Sequence, residues 1–253
     1  PTGIGKTRLA EESMTRDQVP VFEVRAEPYG TANPYRPFRD PVRDLLGVER
    51  ASNDEMARAL RRGLKKVASG LMPLAPLLGD IAHVELDPTP ETAAIDGRFR
   101  QDRTADAMVS LLHATKPGRL AIIAEDMHWA DAATEGLVTR LARETAGRPW
   151  LVLVTARDSV IDDTTEMPLA PLETAALDEM IHAATEAAPL RSEVVRAIVE
   201  RSGGSPLFAS ELITIVRETG DVSSLPTSLD GVVGSQIDSL APLPRKVLRY
   251  VSV

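Results

Sequence analysis

The sequence predicts an α/β fold in which a parallel sheet is flanked by helices and is followed by an all-helical segment. Residues 120–124 and 150–155 are short apolar runs, which is the pattern of strands covered on both faces. Beyond residue 172 only patterns with helical spacing occur. Strands that alternate with helices, followed by helices alone, are typical of a parallel α/β domain with an appended helical subdomain.

The elements of the α/β part follow in order along the chain. Residues 19–26 alternate between apolar and polar and predict a strand. The four prolines of residues 73–90 predict a loop with short turns, and residues 167–172 predict a short edge strand interrupted by two prolines. The helices predicted in this part cover residues 8–14, 38–46, 54–67, 99–113 and 132–144.

Three segments are predicted: an α/β domain over residues 1–172, a helical lid subdomain over 173–224, and a further helical segment over 225–253. The helices predicted beyond residue 172 cover residues 175–187, 191–201, 207–218, 228–240 and 244–251. The first residues lie inside a motif and the last ones read as a helix cut short. We therefore expect the chain to be an internal piece of a longer protein whose first strand is truncated.

Composition excludes several kinds of site and partner. The chain carries 37 acidic and 29 basic side chains, and this net charge of −8 disfavours a nucleic-acid surface. Because there is no cysteine, disulfides, thiolate zinc sites and cysteine nucleophiles are excluded. No apolar run approaches the roughly 18 residues that span a bilayer. We expect a cytoplasmic chain with no membrane partner and no direct nucleic-acid binding.

The first residues match most of the pattern G-x-x-x-x-G-K-[ST], which is typical of a phosphate-binding loop. Gly3, Gly5, Lys6 and Thr7 fit the pattern, and its first glycine would precede the chain. The glycines let backbone N–H groups converge on phosphates. Lys6 is expected at the β- and γ-phosphates, and the Thr7 hydroxyl on Mg²⁺. The motif predicts ATP and Mg²⁺ as ligands, bound by Thr2, Gly3, Ile4, Gly5, Lys6, Thr7 and Arg8.

Two acids, Glu125 and Asp126, follow the apolar run 120–124. A phosphate-loop fold needs a carboxylate at the end of a neighbouring parallel strand to hold Mg²⁺ through water. Glu125 stands where this metal-positioning acid is expected, and Asp126 stands where a second acid would orient or deprotonate the attacking water. The division of the two roles between the acids stays open, as does the alternative that the pair only ends a strand.

Two residues near these acids, His128 and Arg157, have two interpretations each, and a third, Asp131, has one. Asp131 is placed as the N-cap of the helix from residue 132, and this role accounts for it. His128 either couples to the γ-phosphate or packs beside Trp129. Arg157 follows the strand 150–155, where it either senses the γ-phosphate or is an ordinary surface arginine.

Four sequence blocks carry a resemblance to a known family. They are, in order, GIGKTRLA, LAIIAEDMHWADAAT, LVLVTARD and RSGGSPLFASELI. Together they resemble the ATPase module of signal-transducing P-loop proteins of the STAND and AAA+ type, and this resemblance covers nearly all of the chain. Similar modules occur in bacterial class III adenylate or guanylate cyclases with a C-terminal ATPase region and in large LuxR-type transcriptional regulators.

The resemblance implies roles that spacing does not. Arg157 resembles the sensor arginine of the family, and Pro206 resembles the proline that packs against adenine from the helical subdomain. Residues 225–253 resemble the start of a winged-helix part. One position departs from the family. The first of the two acids is more often Asp in the family, whereas this chain has Glu125 there, and this difference puts the metal geometry and the rate of turnover in question.

The resulting hypothesis is a switch module of a larger bacterial regulatory protein, which is cyclase-linked by resemblance. It would bind ATP and slowly hydrolyse the β–γ phosphoanhydride bond, and any cyclase activity would lie outside these residues. Its expected partners are ATP and ADP, covalently linked effector and output domains, and further copies in a nucleotide-dependent self-association. The alternative is an ATP-binding scaffold of a LuxR-type regulator that hydrolyses nothing.

Overall fold

The computed structural model describes residues 3–28, 33–157, 161, 164–220, 225–228 and 231. The chain divides into two compact units. The sheet unit is Thr7–Glu166, and the helical unit combines Pro1–Lys6 with Met167–Val253. Most of the predicted third segment, and with it the helices expected at 228–240 and 244–251, lies outside the described residues.

The sheet unit contains a parallel sheet of three strands within the described residues: β1 Val21–Arg25, β2 Leu120–Glu125 and β3 Trp150–Val154. Their order is β1-β2-β3, so β2 is the central strand, and Arg25 is paired with Glu125 at its carboxyl end. Every residue of β2 is buried. The predicted α/β fold with a parallel sheet is confirmed.

The third strand is less buried than its apolar sequence suggests. The run 150–155 predicts a strand covered on both faces, yet Leu151 is 50% exposed in β3 and the rest of the strand beyond Trp150 is only partly buried. The reason is the strand order, since β3 lies at an edge of the sheet that the structure describes. An apolar run does not distinguish a central strand from an edge strand.

Helices surround this sheet in the order that the periodicity predicts, with ends shifted by a few residues. Their first turns contain cues in the sequence, such as the pair Ser52 and Glu55 at the start of α3, where the Glu55 carboxylate accepts from the Ser52 backbone N–H at 3.1 Å. None of the helices that the structure describes has both the length and the apolarity needed to cross a membrane. The helices are α1 Lys6–Asp17, α2 Arg36–Leu46, α3 Asn53–Val67, α4 Ala75–Ala82, α5 Pro90–Ala93, α6 Arg100–Thr115 and α7 Ala132–Glu144.

The prediction of a loop over residues 73–90 is wrong for its first half, where the chain forms α4. All residues of this helix except Asp80 are buried, because the helix is apolar on every side and packs inside the unit. Pro76 does not prevent the helix, since proline is tolerated in a first turn. The edge strand predicted over residues 167–172 is also wrong, as these residues have no regular structure.

The two faces of the central strand pack against different helices. On one face Ala121 and Ile123 contact Ala10 and Met14 of α1. On the other face, residues such as Ile122 join the main core, which is built largely from α2, α3, α4, α6 and α7. Because both faces are covered, β2 can be apolar throughout up to the acids at its carboxyl end.

The helical unit contains three helices in its described part: α8 Thr174–Ala184, α9 Ser192–Ser202 and α10 Pro206–Thr219. They confirm the helices predicted over 175–187, 191–201 and 207–218. A separate apolar core holds them together, to which Ile181, Ile198 and Leu212 contribute fully buried side chains. This core belongs to the helical unit alone, so the unit has its own source of stability.

Two mid-helix glycines predict opposite effects on stability. A Cβ at Gly63 in α3 would lie 2.0 Å from the backbone oxygen of Leu46, whereas a Cβ at Gly136 in α7 would meet nothing within 4 Å. We expect Gly63→Ala to lower the free energy of unfolding by about 1–3 kcal/mol through overpacking. Gly136→Ala should raise it by about 0.5–1 kcal/mol, because alanine is the better helix former. Urea unfolding of the two variants tests this, and shifts of the same sign would contradict it.

Candidate functional site

The loop before α1 has the backbone that its glycines predict. Gly3 and Gly5 have φ angles of 75° and 92°, which side-chain-bearing residues rarely adopt. Lys6 is the first residue of α1, so the loop runs directly into the free N–H groups of a helix N-terminus. Thr2, the remaining predicted loop residue before Gly3, lies outside the described residues.

The first turn of α10 is hydrogen-bonded to this loop within the helical unit. The carbonyl oxygen of Gly3 accepts from the backbone N–H of Leu207 at 3.2 Å and from the Ser205 hydroxyl at 3.5 Å. A Cβ at Gly3 would lie 2.8 Å from the Cβ of Leu207, so the two segments are in close contact. Pro206 stands between the two donors at the first position of α10.

At the carboxyl end of β2, the structure places Glu125 in a buried position with one charged partner among the described residues. Glu125 is 1% exposed, and Arg25 on β1 donates a hydrogen bond to its Oε2 atom. Its Oε1 atom is also buried and has no hydrogen-bond partner among the described residues. A buried carboxylate oxygen without a donor is uncommon in proteins, and a bound water or metal ion would satisfy it.

Asp126 lies in a different environment from Glu125, although the two are adjacent. Its backbone is left-handed, with a φ of 54°, and its side chain is not fully buried. Thr155 fixes this turn, because its Oγ1 accepts from the Asp126 N–H at 3.0 Å and its carbonyl oxygen accepts from the Met127 N–H at 2.9 Å. Aspartate tolerates left-handed backbone better than most residues, so its residue type suits this turn.

The turn that follows the acids contains a cluster of two aromatic rings and a cation. The rings of His128 and Trp129 are 5.0 Å apart, and the Arg157 guanidinium lies 5.5 Å from the centre of the Trp129 ring. Asp131 caps α7 by accepting from the N–H groups of Ala133 and Thr134, both at 3.0 Å, which confirms its predicted role. The ring contact with Trp129 therefore supports the packing interpretation of His128. Arg157 also has a contact within the chain, which is the Trp129 ring.

The predicted site residues are divided between the two units. Glu125, Asp126 and Arg157 lie at or just beyond the carboxyl ends of neighbouring parallel strands in the sheet unit, where ligands of open α/β sheets bind. Thr7 and Arg8 begin the same unit, and Arg8 forms an exposed ion pair with Glu12. The predicted residues of the helical unit are Gly3, Ile4, Gly5, Lys6 and Pro206.

Sequence reasoning missed Arg25. The available signal was its position, because a charged residue at the end of the predicted strand 19–26 belongs to the same sheet edge as Glu125. That pairing depends on which strands are neighbours and on their register, and neither can be read from a local pattern.

Among the described residues, no group of three or more His, Asp or Glu side chains could hold a metal ion alone. A Mg²⁺ ion at a phosphate site needs few protein ligands, since it keeps several waters and takes only one or two carboxylates besides phosphate oxygens. Glu125 Oε1 is a buried carboxylate oxygen that would fit such a site through a metal-bound water.

The sequence model of a family described as AAA ATPase domain matches residues 1–154. No curated protein and no solved structure matches the chain in the corresponding comparisons. The matched range includes the glycine loop, Arg25 and both acids, and it ends before Arg157 and Pro206. Such a domain implies the use of a nucleotide, typically with Mg²⁺.

Proposed function

Since this chain belongs to the AAA ATPase domain family, we propose that it binds ATP with Mg²⁺ and slowly hydrolyses the β–γ bond. It would act as the switch module of a larger bacterial regulatory protein. The observation that supports this most is the buried Glu125 at the end of the central strand, whose Oε1 has no partner among the described residues. A carboxylate in this place is the ligand that a phosphate-bound Mg²⁺ requires.

Thr7 and Glu125 would hold the metal, Thr7 through its hydroxyl and Glu125 through water. Bound Mg²⁺ would neutralise charge that develops on the transferred phosphoryl group. Lys6 and the N–H groups of residues 3–8 would bind the phosphates, since α1 begins at Lys6 and presents its positive dipole end there. These roles require no residue beyond those that the sequence predicts.

Asp126 is the acid that we assign to the attacking water. Its side chain is less buried than that of Glu125, so water has access to it. The Thr155 hydrogen bond holds its backbone in place, which would orient the carboxylate before the reaction. Arg157 would contact the γ-phosphate at the expense of its position over Trp129, and so could distinguish ATP from ADP.

The contact between Gly3 and α10 supports the switch over a passive binding site. Two hydrogen bonds join the phosphate loop to the helix that carries Pro206, the residue expected at the adenine. A nucleotide that rearranges the loop would therefore act directly on α10. Only a difference in free energy between the ATP and ADP states makes such a switch, and about 1.4 kcal/mol shifts its equilibrium tenfold.

The cyclase-linked architecture is a further part of the proposal and rests on sequence resemblance. Effector and output domains would be covalently linked to this module, and nucleotide-dependent self-association would transmit its state. The sequence of the full-length protein decides between the cyclase-linked and the LuxR-type architecture. A class III cyclase domain upstream would support the first, and a helix-turn-helix domain downstream would support the second.

The experiment that tests the function is a titration of the chain with ATP and ADP, each with and without Mg²⁺, followed by measurement of phosphate release. Micromolar binding that is strengthened by Mg²⁺, with slow release, is the expected result. Binding without release would instead support the scaffold of a LuxR-type regulator. Absence of ATP binding under all conditions would overturn the proposed function.

A further inference from the structure

We propose that Arg25 is a positioning residue for the metal: it holds Oε2 of Glu125 so that Oε1 stays available to the water shell of Mg²⁺. This inference rests on the proposed function of the same site. It assigns a task to a residue outside the phosphate-loop motif and outside the acid pair. Arg25 itself would touch neither the nucleotide nor the reacting atoms.

Backbone pairing brings the two side chains together. Arg25 and Glu125 are register partners in neighbouring parallel strands, and the next N–H group, that of Ala26, donates to the Glu125 carbonyl oxygen at 2.9 Å. The ladder thus continues past the last strand residue and fixes both main chains. Because the backbones are fixed, the guanidinium can select one orientation of the carboxylate.

The pair is asymmetric in its burial. The Glu125 side chain is 2% exposed, whereas that of Arg25 is 50% exposed. A buried acid therefore has its charge balanced by a cation that reaches in from the surface. A water-bound metal ion can add to this arrangement without displacing a buried cation.

Arg25 contacts a second carboxylate besides that of Glu125. Its Nη2 atom lies 3.4 Å from the Glu23 carboxylate in addition to its bond with Glu125. The guanidinium of arginine stays charged throughout the physiological pH range. Arg25 is therefore a permanent cation at the point where the acid pair begins.

The unused oxygen of Glu125 distinguishes this arrangement from an ordinary structural ion pair. An arginine and a carboxylate that only stabilise a fold commonly pair through both oxygens. Here Oε1 is buried and has no hydrogen-bond partner among the described residues. Pairing through Oε2 alone leaves the other oxygen for a ligand, which is how residues behind a metal ligand orient it.

The test compares ATP binding in the presence of Mg²⁺ with binding in EDTA, for the unaltered chain and for Arg25→Gln. We expect Arg25→Gln to raise the Mg²⁺ concentration that half-saturates its effect on ATP affinity by about tenfold, because loss of an orienting partner typically weakens a metal site by that factor or more. Affinity in EDTA should stay the same. Glu23→Gln is the matched control, since it removes the exposed partner of Arg25 and leaves Glu125 paired.

Arg25→Lys is the second variant, in case Arg25→Gln does not fold. An ammonium can reach one oxygen but lacks the planar guanidinium, so the Mg²⁺ requirement should rise by less than in Arg25→Gln. An unchanged Mg²⁺ requirement in the folded variants would overturn the proposal, and so would an equal loss of affinity with and without Mg²⁺. If the unaltered chain binds no ATP at all, the proposed function fails first.

Discussion

Replacement of Lys6 by alanine should lower the affinity for ATP·Mg²⁺ about 100-fold while the chain stays folded. The lysine is the first residue of α1, where its ammonium would donate charged hydrogen bonds to the β- and γ-phosphates. Bonds to charged groups are worth about 1.5–3 kcal/mol each, and a loss of about 2.8 kcal/mol corresponds to a 100-fold change in Kd. Alanine is the best helix former, so α1 should persist.

Calorimetric titration measures this loss, and circular dichroism checks that the helices remain. Lys65→Ala is the matched control because it removes an exposed lysine from the last turn of α3, away from the phosphate loop in the sequence. The control should bind ATP as the unaltered chain does. If Lys6→Ala bound ATP with full affinity, the phosphate site would have to lie elsewhere in the molecule.

Asp126→Asn should lower the rate of phosphate release by about 10²–10⁴-fold, the range for removal of a general base, and leave ATP binding nearly unchanged. Asparagine has the same shape as aspartate and tolerates left-handed backbone, so the φ of 54° and the hydrogen bond to Thr155 can be kept. The variant therefore removes the basic oxygen without rebuilding the turn. Single-turnover phosphate release measures the effect.

A control variant and a variant of the second acid show which acid performs which role. Asp87→Asn changes an exposed carboxylate in a loop and should release phosphate at the normal rate. Glu125→Gln should instead weaken the dependence of ATP binding on Mg²⁺, since Glu125 is assigned to the metal. Normal phosphate release in Asp126→Asn together with a severe loss in Glu125→Gln would contradict the assignment of the attacking water to Asp126.

Local patterns predicted the elements that carry most of the candidate site. The spacing of Gly3, Gly5 and Lys6 predicted a loop that runs into a helix, and α1 does begin at Lys6. The apolar run 120–124 predicted the central strand and placed Glu125 and Asp126 at its end. These features are local, because the geometry of a loop and the burial of a central strand impose a residue type at each position.

Patterns misled where burial depends on distant parts of the chain. Prolines suggested a loop at the position of α4, but tertiary packing buries that helix on nearly all sides. The apolar residues of β3 suggested a covered strand, but the order β1-β2-β3 places it at an edge of the sheet that is described. Neither the helix surroundings nor the strand order is encoded in neighbouring residues.

The sequence by itself determined the phosphate-loop motif, the two acids and the alternation of strands with helices, since each is a spacing along one segment. Only the tertiary structure paired Arg25 with Glu125 and left Oε1 of that acid without a partner among the described residues. It alone also joined Gly3 to the start of α10. The partners in these pairs are 100 residues or more apart along the chain, so strand order, register and packing decided the contacts.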